Sequence, residues 1–345
     1  MKKLGIIFGG RSGEHEVSLM SATSVINALD RKKFEIICIG ITRQGDWKLY
    51  GGPADKIESG EWEKSASGFN PGDLKDTVDF AFPVLHGPNG EDGTIQGLFE
   101  MLDVPYAGCG VLASSLTMDK VMAKEVFRSQ GIPICSHVAA TREEFIEDRQ
   151  QLADKIEREL SSGYPLFVKP ANMGSSVGIT KVKDRSALID ALCEAARYDR
   201  RIIVEETVSG RELETAVLGN AGPDVSIVGE IVPSAEFYDY NAKYLDGGKT
   251  EIIVPANIEP KIAERVRELA AEAFKAVDGA GFARVDFLYE NATGKVYLSE
   301  INTIPGFTKF SMFPRLWMDT GMTYSGLLER IVELGYERYH TKNHR

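Results

Sequence analysis

The sequence predicts an α/β domain followed by two mixed α+β segments, and three observations carry that reading. Residues 4–8 form a short apolar run closed by Gly9-Gly10, helical spacing follows over 17–29, and 34–41 is a second apolar run. Apolar runs of this length read as parallel strands buried on both faces. Strand, helix and strand within about forty residues make a βαβ unit. The third observation is a change of character: after Gly110 helices and strands mix, and from Glu212 onward strands dominate.

Taken in order, Val17, Met20, Val25, Ile26 and Leu29 give the first helix its apolar stripe. Residues 43–75 are rich in Gly, Ser, Lys and Glu and read as exposed connections. Residues 78–85 are another strand ending at His86-Gly87, with a helix over 94–102. Helices are expected at 117–130, 142–159 and 184–197, and strands at 165–170, 177–182 and 201–205. Further strands are expected at 212–218, 226–232, 250–254, 281–289 and 295–301, with helices at 260–277 and 322–334. The chain has 345 residues, and at ~150 residues per domain that predicts two or three domains.

Composition excludes several classes. Hydrophobic residues at 43% and charged residues at 26% are those of an ordinary globular chain, not a disordered one. No apolar run approaches ~18 residues, so no membrane helix is expected. Met1-Lys2-Lys3 imitates a signal peptide, but the apolar stretch after it is too short, so a cytoplasmic protein is expected. Net charge is 40 − 51 = −11, which disfavours nucleic acid as a main partner. Cys38, Cys109, Cys135 and Cys193 are widely spaced without a CxxC pair and read as reduced, structural thiols.

Two motifs are decoys. The stretch 246–250, DGGKT, looks like the end of a P-loop but has Lys243 where that motif needs glycine. Gly174-Ser-Ser-Val-Gly178 fits a nucleophile elbow by letter. A strand is expected after it instead of a helix, and only His340 and His344 follow. It reads either as a plain turn or as a phosphate loop, with successive N–H groups, the hydroxyls of Ser175 and Ser176, and Lys169 at the preceding strand end.

The sharpest constellation lies later. Arg284 and Asp286, and Glu300 and Asn302, are each two residues apart in apolar strands, so each pair shares a face. Residues 290–295 have turn chemistry, and a hairpin pairing Glu290 with Val296 sets Asp286 opposite Glu300 and Arg284 opposite Asn302. Facing carboxylates repel. A divalent cation relieves them, and two carboxylates with an amide oxygen suit Mg²⁺ held with nucleotide phosphates. Pro305-Gly306 follows and can present an N–H to a substrate. Glu14, or its neighbour Glu16, sits at the end of the first strand, where open α/β sheets bind ligands. Either could hold an ammonium group or charge the first turn of the helix. His86, in the glycine-studded loop 86–93, reads as structural or functional.

Residues 9–18 (GGRSGEHEVS), 85–93 (LHGPNGEDG), 118–120 (MDK), Lys169-Pro170 with 174–178, 238–244 (YDYNAKY), 284–286 (RVD) and 300–306 (EINTIPG) occur in this order. That order resembles the D-alanine–D-alanine ligases of the ATP-grasp superfamily over residues 4–335. The resemblance implies a three-domain ATP-grasp fold with a Rossmann-like parallel-sheet N-terminal domain over 1–113. A central subdomain would span 114–205, and a C-terminal subdomain 206–345 would carry a lid at 235–249. It implies two D-alanine substrates and ATP, with two Mg²⁺ ions, or Mn²⁺, on Asp286, Glu300 and Asn302. Lys120 and Lys169 would contact phosphates, with Ser175 and Ser176 in the phosphate loop, and Glu205 and Glu212 would hold adenine and ribose. Glu14 would bind the first D-alanine ammonium in a network with Ser175 and Tyr244, and His86 would lie in the substrate site. Ser311, followed by Met312, would bind the second carboxylate. Arg284 and the Gly306 N–H would face the reacting carbonyl, and Lys243 would reach the transferred phosphate. A homodimer serving peptidoglycan precursor synthesis is implied as well. Tyr244 and the apolar Met312 favour D-alanine over D-serine or D-lactate as second substrate. A serine hydrolase and a catalytically dead nucleotide-binding module are the alternatives from other classes.

Overall fold

The computed structural model describes residues 1–232, 250–308 and 310–343. The expected lid, with Lys243 and Tyr244, lies outside the described residues. Among the described residues the strands form three sheets.

The first sheet holds β1 (Lys2–Gly9), β2 (Phe34–Ile41), β3 (Trp47–Tyr50), β4 (Ser67–Gly68) and β5 (Phe80–Val84) in the order β4-β3-β2-β1-β5. β1 runs parallel to β2 and β5, joined through α1 (His15–Ala28), as a βαβ unit requires. β3 and β4 are antiparallel additions, so the sheet is mixed. Residues 43–75 thus correct the sequence reading: Tyr50, Ile57, Trp62 and Leu74 are buried core residues. The Trp62 ring meets Phe8 edge-on at 5.1 Å and lies against Gly40, where a Cβ would come within 2.2 Å of it. These apolar residues are too thinly spaced to show as a periodic pattern. The loop after β5 leads to α2 (Thr94–Met101).

The helix expected at 117–130 is two, α3 (Val111–Met118) and α4 (Lys120–Ser129). Asp119 breaks them: its extended backbone places its carboxylate on the N–H groups of Val121 and Met122, both at 3.1 Å. The Lys120 N–H then bonds the Ala171 carbonyl at 3.1 Å, which docks this break beside the second sheet. That sheet has the antiparallel order β6-β9-β7-β8, from β6 (His137–Thr141), β7 (Leu166–Pro170), β8 (Thr180–Val182) and β9 (Arg201–Glu206). α5 (Arg142–Glu159), started by a Thr141–Glu144 capping box, and α6 (Arg185–Tyr198) share its core.

The third sheet contains β10 (Arg211–Gly219), β11 (Asp224–Val232), β12 (Glu251–Ile253), β13 (Gly281–Glu290) and β14 (Lys295–Asn302), ordered β12-β11-β10-β13-β14. Leu213, Val217, Val285 and Phe287 pack with α7 (Pro260–Ala276) on one face. Ala216, Leu218 and Phe282, on the other, pack with α8 (Met312–Asp319) and α9 (Tyr324–Asn343), and the same core continues into Leu4, Phe8 and Phe82 of the first sheet. Phe307 bridges the two, 5.9 Å from Phe82 and 5.4 Å from Phe282, centroid to centroid.

Arg284 pairs with Asn302 and Asp286 with Glu300, as the spacing predicts. At the turn end the expected register is one residue off: Glu290 faces Lys295, not Val296. A bulge after Asp286, with Phe287 opposite Leu298, absorbs the difference at Ser299.

Candidate active site

The loop after β1 and the start of α1 meet the loop after β5 at a cavity of ≈ 690 Å³ lined by all three layers. Glu14, at the N-cap of α1, is 8% exposed. Ser175 donates its hydroxyl to the Glu14 carboxylate across 161 positions of sequence. Gly87 and Gly174 make room for it, since a Cβ on either would come within 2.5 or 2.8 Å of Oε2. Ser175 and Ser176 both have positive φ, 49° and 60°, a conformation that L-residues adopt at a cost of about 1 kcal/mol or more each. The loop therefore bends against its preference where Ser175 reaches Glu14.

His86 is 4% exposed and both ring nitrogens are engaged by protein, Nδ1 with the Ile304 carbonyl at 2.9 Å and Nε2 with Ser21 Oγ at 3.1 Å. Burial pulls its pKa down, against the opposing pull of Glu14. Ser21 also accepts the Phe307 N–H at 3.2 Å, so His86 anchors the loop that contains Gly306. Ser311, opening α8, accepts the Thr308 N–H at 3.1 Å. Met312 beside it is buried, its sulfur under Gly229.

Lys120 donates to the Met173 carbonyl at 2.8 Å and stands 3.7 Å from Glu300. Lys169 and Lys124 each take one carboxylate oxygen of Glu205, Lys124 at 2.8 Å, and the three side chains are 19%, 3% and 6% exposed. Burial alone would raise the Glu205 pKa, but the two lysines hold it far below the carboxylate range. Glu212 stands on β10 opposite Leu288.

On the third sheet, Arg284 forks onto Asp286, Nε to Oδ1 and Nη2 to Oδ2, both 2.7 Å. Asn302 donates to Asp286 Oδ2 at 2.9 Å, and Glu214 on β10 lies 3.0 Å from Arg284 Nε. Burial opposes the arginine charge, yet Asp286 and Glu214 hold its pKa well above the ordinary value. Each of the facing carboxylates thus has a cationic partner, Arg284 for Asp286 and Lys120 for Glu300.

The cavity brings together Glu14, His86, Lys120, Ser175 and Ser176 from one side. Arg284, Glu300, Asn302, Gly306, Ser311 and Met312 face them. Asp286 adjoins through Arg284 and Asn302, whereas Lys169, Glu205 and Glu212 lie outside this lining. Four lining or supporting residues escape the sequence reading. Glu91 accepts the Gly87 N–H at 2.8 Å, and burial with the Glu14 charge pushes its pKa up to about 8. Arg315 shares the wall with Ser311. Glu214 carries no motif signal. Lys124 is one turn from Lys120, a spacing that puts both on one face and could have revealed it.

Two family models match the chain: "D-ala D-ala ligase N-terminus" over residues 3–109 and "D-ala D-ala ligase C-terminus" over 126–333. A protein named D-alanine--D-alanine ligase from Thermoanaerobacter sp. (strain X514) is 52% identical, the match covering 99% of this chain and 98% of that one. A protein of the same name from Acetivibrio thermocellus is 48% identical, covering 98% and 96%. Of solved structures, the VanG D-Ala:D-Ser ligase from Enterococcus faecalis has a TM-score of 0.88 at 39% identity, over 97% of this chain and 99% of that one. The D-alanine-D-alanine ligase from Coxiella burnetii has a TM-score of 0.85 at 34% identity, over 99% and 95%. With both family models matched in order and relatives of about half-identical sequence over nearly its whole length, the chain belongs to the D-alanine–D-alanine ligase family.

Proposed function

We propose that this chain, an ATP-grasp enzyme, joins two D-alanine molecules into D-alanyl-D-alanine at the expense of ATP, in the cytoplasm and as a homodimer, to supply a peptidoglycan precursor. The single observation that carries the reading is the meeting, in one cavity, of the buried Glu14 carboxylate, the Ser175–Ser176 loop that holds it and a polar strand face with Arg284. The three sheets support a division into three parts near 1–113, 114–205 and 206–345, the two boundaries falling inside α3 and β9.

A carboxylate is a poor electrophile. One oxygen of the first D-alanine carboxylate attacks the γ-phosphorus of ATP, the bond to ADP breaks, and an acyl phosphate forms. The second D-alanine's amine then attacks the carbonyl carbon, loses a proton, and inorganic phosphate leaves. Glu14, fixed by Ser175, holds the first ammonium. Ser175, Ser176 and the Lys120 and Lys169 ammonium groups face the phosphates; Lys243 and Tyr244, outside the described residues, are assigned to the transferred phosphate and to the Glu14 network. Glu205 and Glu212 take adenine and ribose. Negative charge develops on the carbonyl oxygen in the second step, where Arg284 and the Gly306 N–H stabilise it. Ser311 holds the second carboxylate, and His86 fixes the loop between them. The acyl phosphate hydrolyses in water, so the site must close.

Asp286, Glu300 and Asn302 would hold divalent ions: Asp286 and Glu300 face each other on one rung, Asn302 follows two residues on, and the two carboxylates are partnered by Arg284 and Lys120. Mg²⁺ or Mn²⁺ there would neutralise the phosphates during transfer.

The test is phosphate release with D-alanine, L-alanine, D-serine and D-lactate side by side. Release with D-alanine, and far less with the others, is expected. Equal or greater release with D-serine would overturn the substrate choice, and ATP binding without any release would overturn the activity.

A further inference from the structure

Asp286 is asked to do two things at once. Its oxygens accept three N–H groups, two from Arg284 and one from Asn302. A carboxylate offers about four lone-pair positions, so an ion arriving at Asp286 contends with the Arg284 fork for the same oxygens. Two positive charges on one carboxylate also repel. Yet Arg284 is buried, its side chain 18% exposed, and a buried cation stripped of its partner is strongly destabilised. A second carboxylate is in reach. Glu214 stands directly opposite Asp286 on β10, its side chain 10% exposed, with Oε2 3.0 Å from the same Arg284 Nε. Glu214, Asp286 and Glu300 form one cross-strand row over β10, β13 and β14.

We propose that Glu214 is a positioning residue that retains the Arg284 guanidinium over the site when a divalent cation takes Asp286. Arg284 exchanges carboxylates instead of leaving. The inference rests on the reading of Asp286, Glu300 and Asn302 as the cation-holding set. Glu214 contributes more to the cation-bound protein than to the cation-free one, because in the former the ion takes the Asp286 oxygens and Glu214 is the carboxylate that stays 3.0 Å from Arg284 Nε.

The experiment is Mn²⁺ binding in the presence of a non-hydrolysable ATP analogue, read from the free-ion paramagnetic resonance signal. It compares wild type, Glu214→Gln, Arg284→Ala and the double variant, with folding checked by circular dichroism. Glu214→Gln should weaken Mn²⁺ about tenfold when Arg284 is present, and about twofold or less when it is absent, as coupled neighbours do. Glu214→Asp should recover part of the loss. If Arg284→Ala does not fold, Arg284→Met removes the charge while keeping most of the side chain's length and serves as the background. An equal loss in both backgrounds, or a larger one without Arg284, overturns the proposal, because Glu214 would then act on the ion directly. Glu300→Gln separates the two levels. If it leaves Mn²⁺ binding unchanged, the cation set itself is wrong and the proposal falls with it. If it abolishes binding while the coupling is absent, only the role of Glu214 falls.

Discussion

Replacing Lys124 with methionine keeps the apolar stem and removes one charge from a buried cluster. Lys124 Nζ is 2.8 Å from Glu205, and the two side chains are 3% and 6% exposed. Breaking a buried pair from one side costs about 3–5 kcal/mol, and because Lys169 still holds the other oxygen the lower end, about 3 kcal/mol, is expected. If a central segment of about 90 residues melts by itself, its unfolding entropy of ~0.2 kcal/mol/K turns that loss into a fall of ~15 °C in Tm. If the whole chain melts as one unit, the entropy is ~0.7 kcal/mol/K and the fall is ~4 °C. Calorimetry therefore reads both the cost and the size of the cooperative unit. The pH dependence has a definite sign. The folded Glu205 pKa lies below its ordinary value of 4.5, so its stabilisation is fully present above 4.5 and is lost as pH falls through the folded value. The gap between wild type and Lys124→Met should be widest at neutral pH and narrow in acid. Adding Glu205→Gln should deepen the loss, since it strands the Lys169 ammonium that the same carboxylate holds. A loss below about 1 kcal/mol, the worth of an exposed pair, or a gap independent of pH would refute the reasoning.

Arg284→Ala should lower turnover about 10²–10³-fold, with a much smaller change in ATP affinity; steady-state kinetics that show lost ATP binding at normal turnover would contradict its role. Ser175→Ala removes a charge-assisted hydrogen bond to Glu14 and should raise the KM for the first D-alanine about tenfold or more; a rise confined to the KM for ATP would count against it. Glu91 has its pKa raised to about 8, so between 4.5 and 8 the folded state holds the extra proton and stability falls as pH rises. Thermal melts of Glu91→Gln should gain on wild type from pH 5 to pH 9, and a constant difference would exclude the effect.

What the sequence makes legible here is what short-range periodicity encodes. Arg284, Asp286, Glu300 and Asn302 declare their shared face by two-residue spacing, and the structure pairs them on the expected rungs. The one-residue error at Glu290 arises because a bulge has no signature in polarity: Ser299 is as acceptable outside the ladder as in it. Glu14 and the Gly174–Gly178 loop stand out through their glycines, but the contact between them is closed by folding over 161 positions. Glu214 and Glu91 acquire their meaning only from such long-range neighbours, Asp286 in one case and Glu14 in the other. The break at Asp119 is hidden for another reason: the residue is tolerable inside a helix, and only the docking of Lys120 on Ala171 makes it a cap.

The apolar core shared by the first and third sheets has a bearing on chimeras between relatives. Leu4, Phe8, Phe80 and Phe82 pack in one cluster with Phe282, Phe307, Phe313, Leu327, Leu328 and Ile331. A crossover placed after residue 109, where one family model stops, looks clean along the chain but cuts this cluster in half. Each parent would bring side chains of its own volume to a close-packed seam, where a misfit of even one methylene is felt. Grafts should therefore move the N-terminal sheet together with Phe307, α8 and α9, and exchange the second sheet, whose main apolar core is separate, only with partners matched to Val121 and Lys124 of α4.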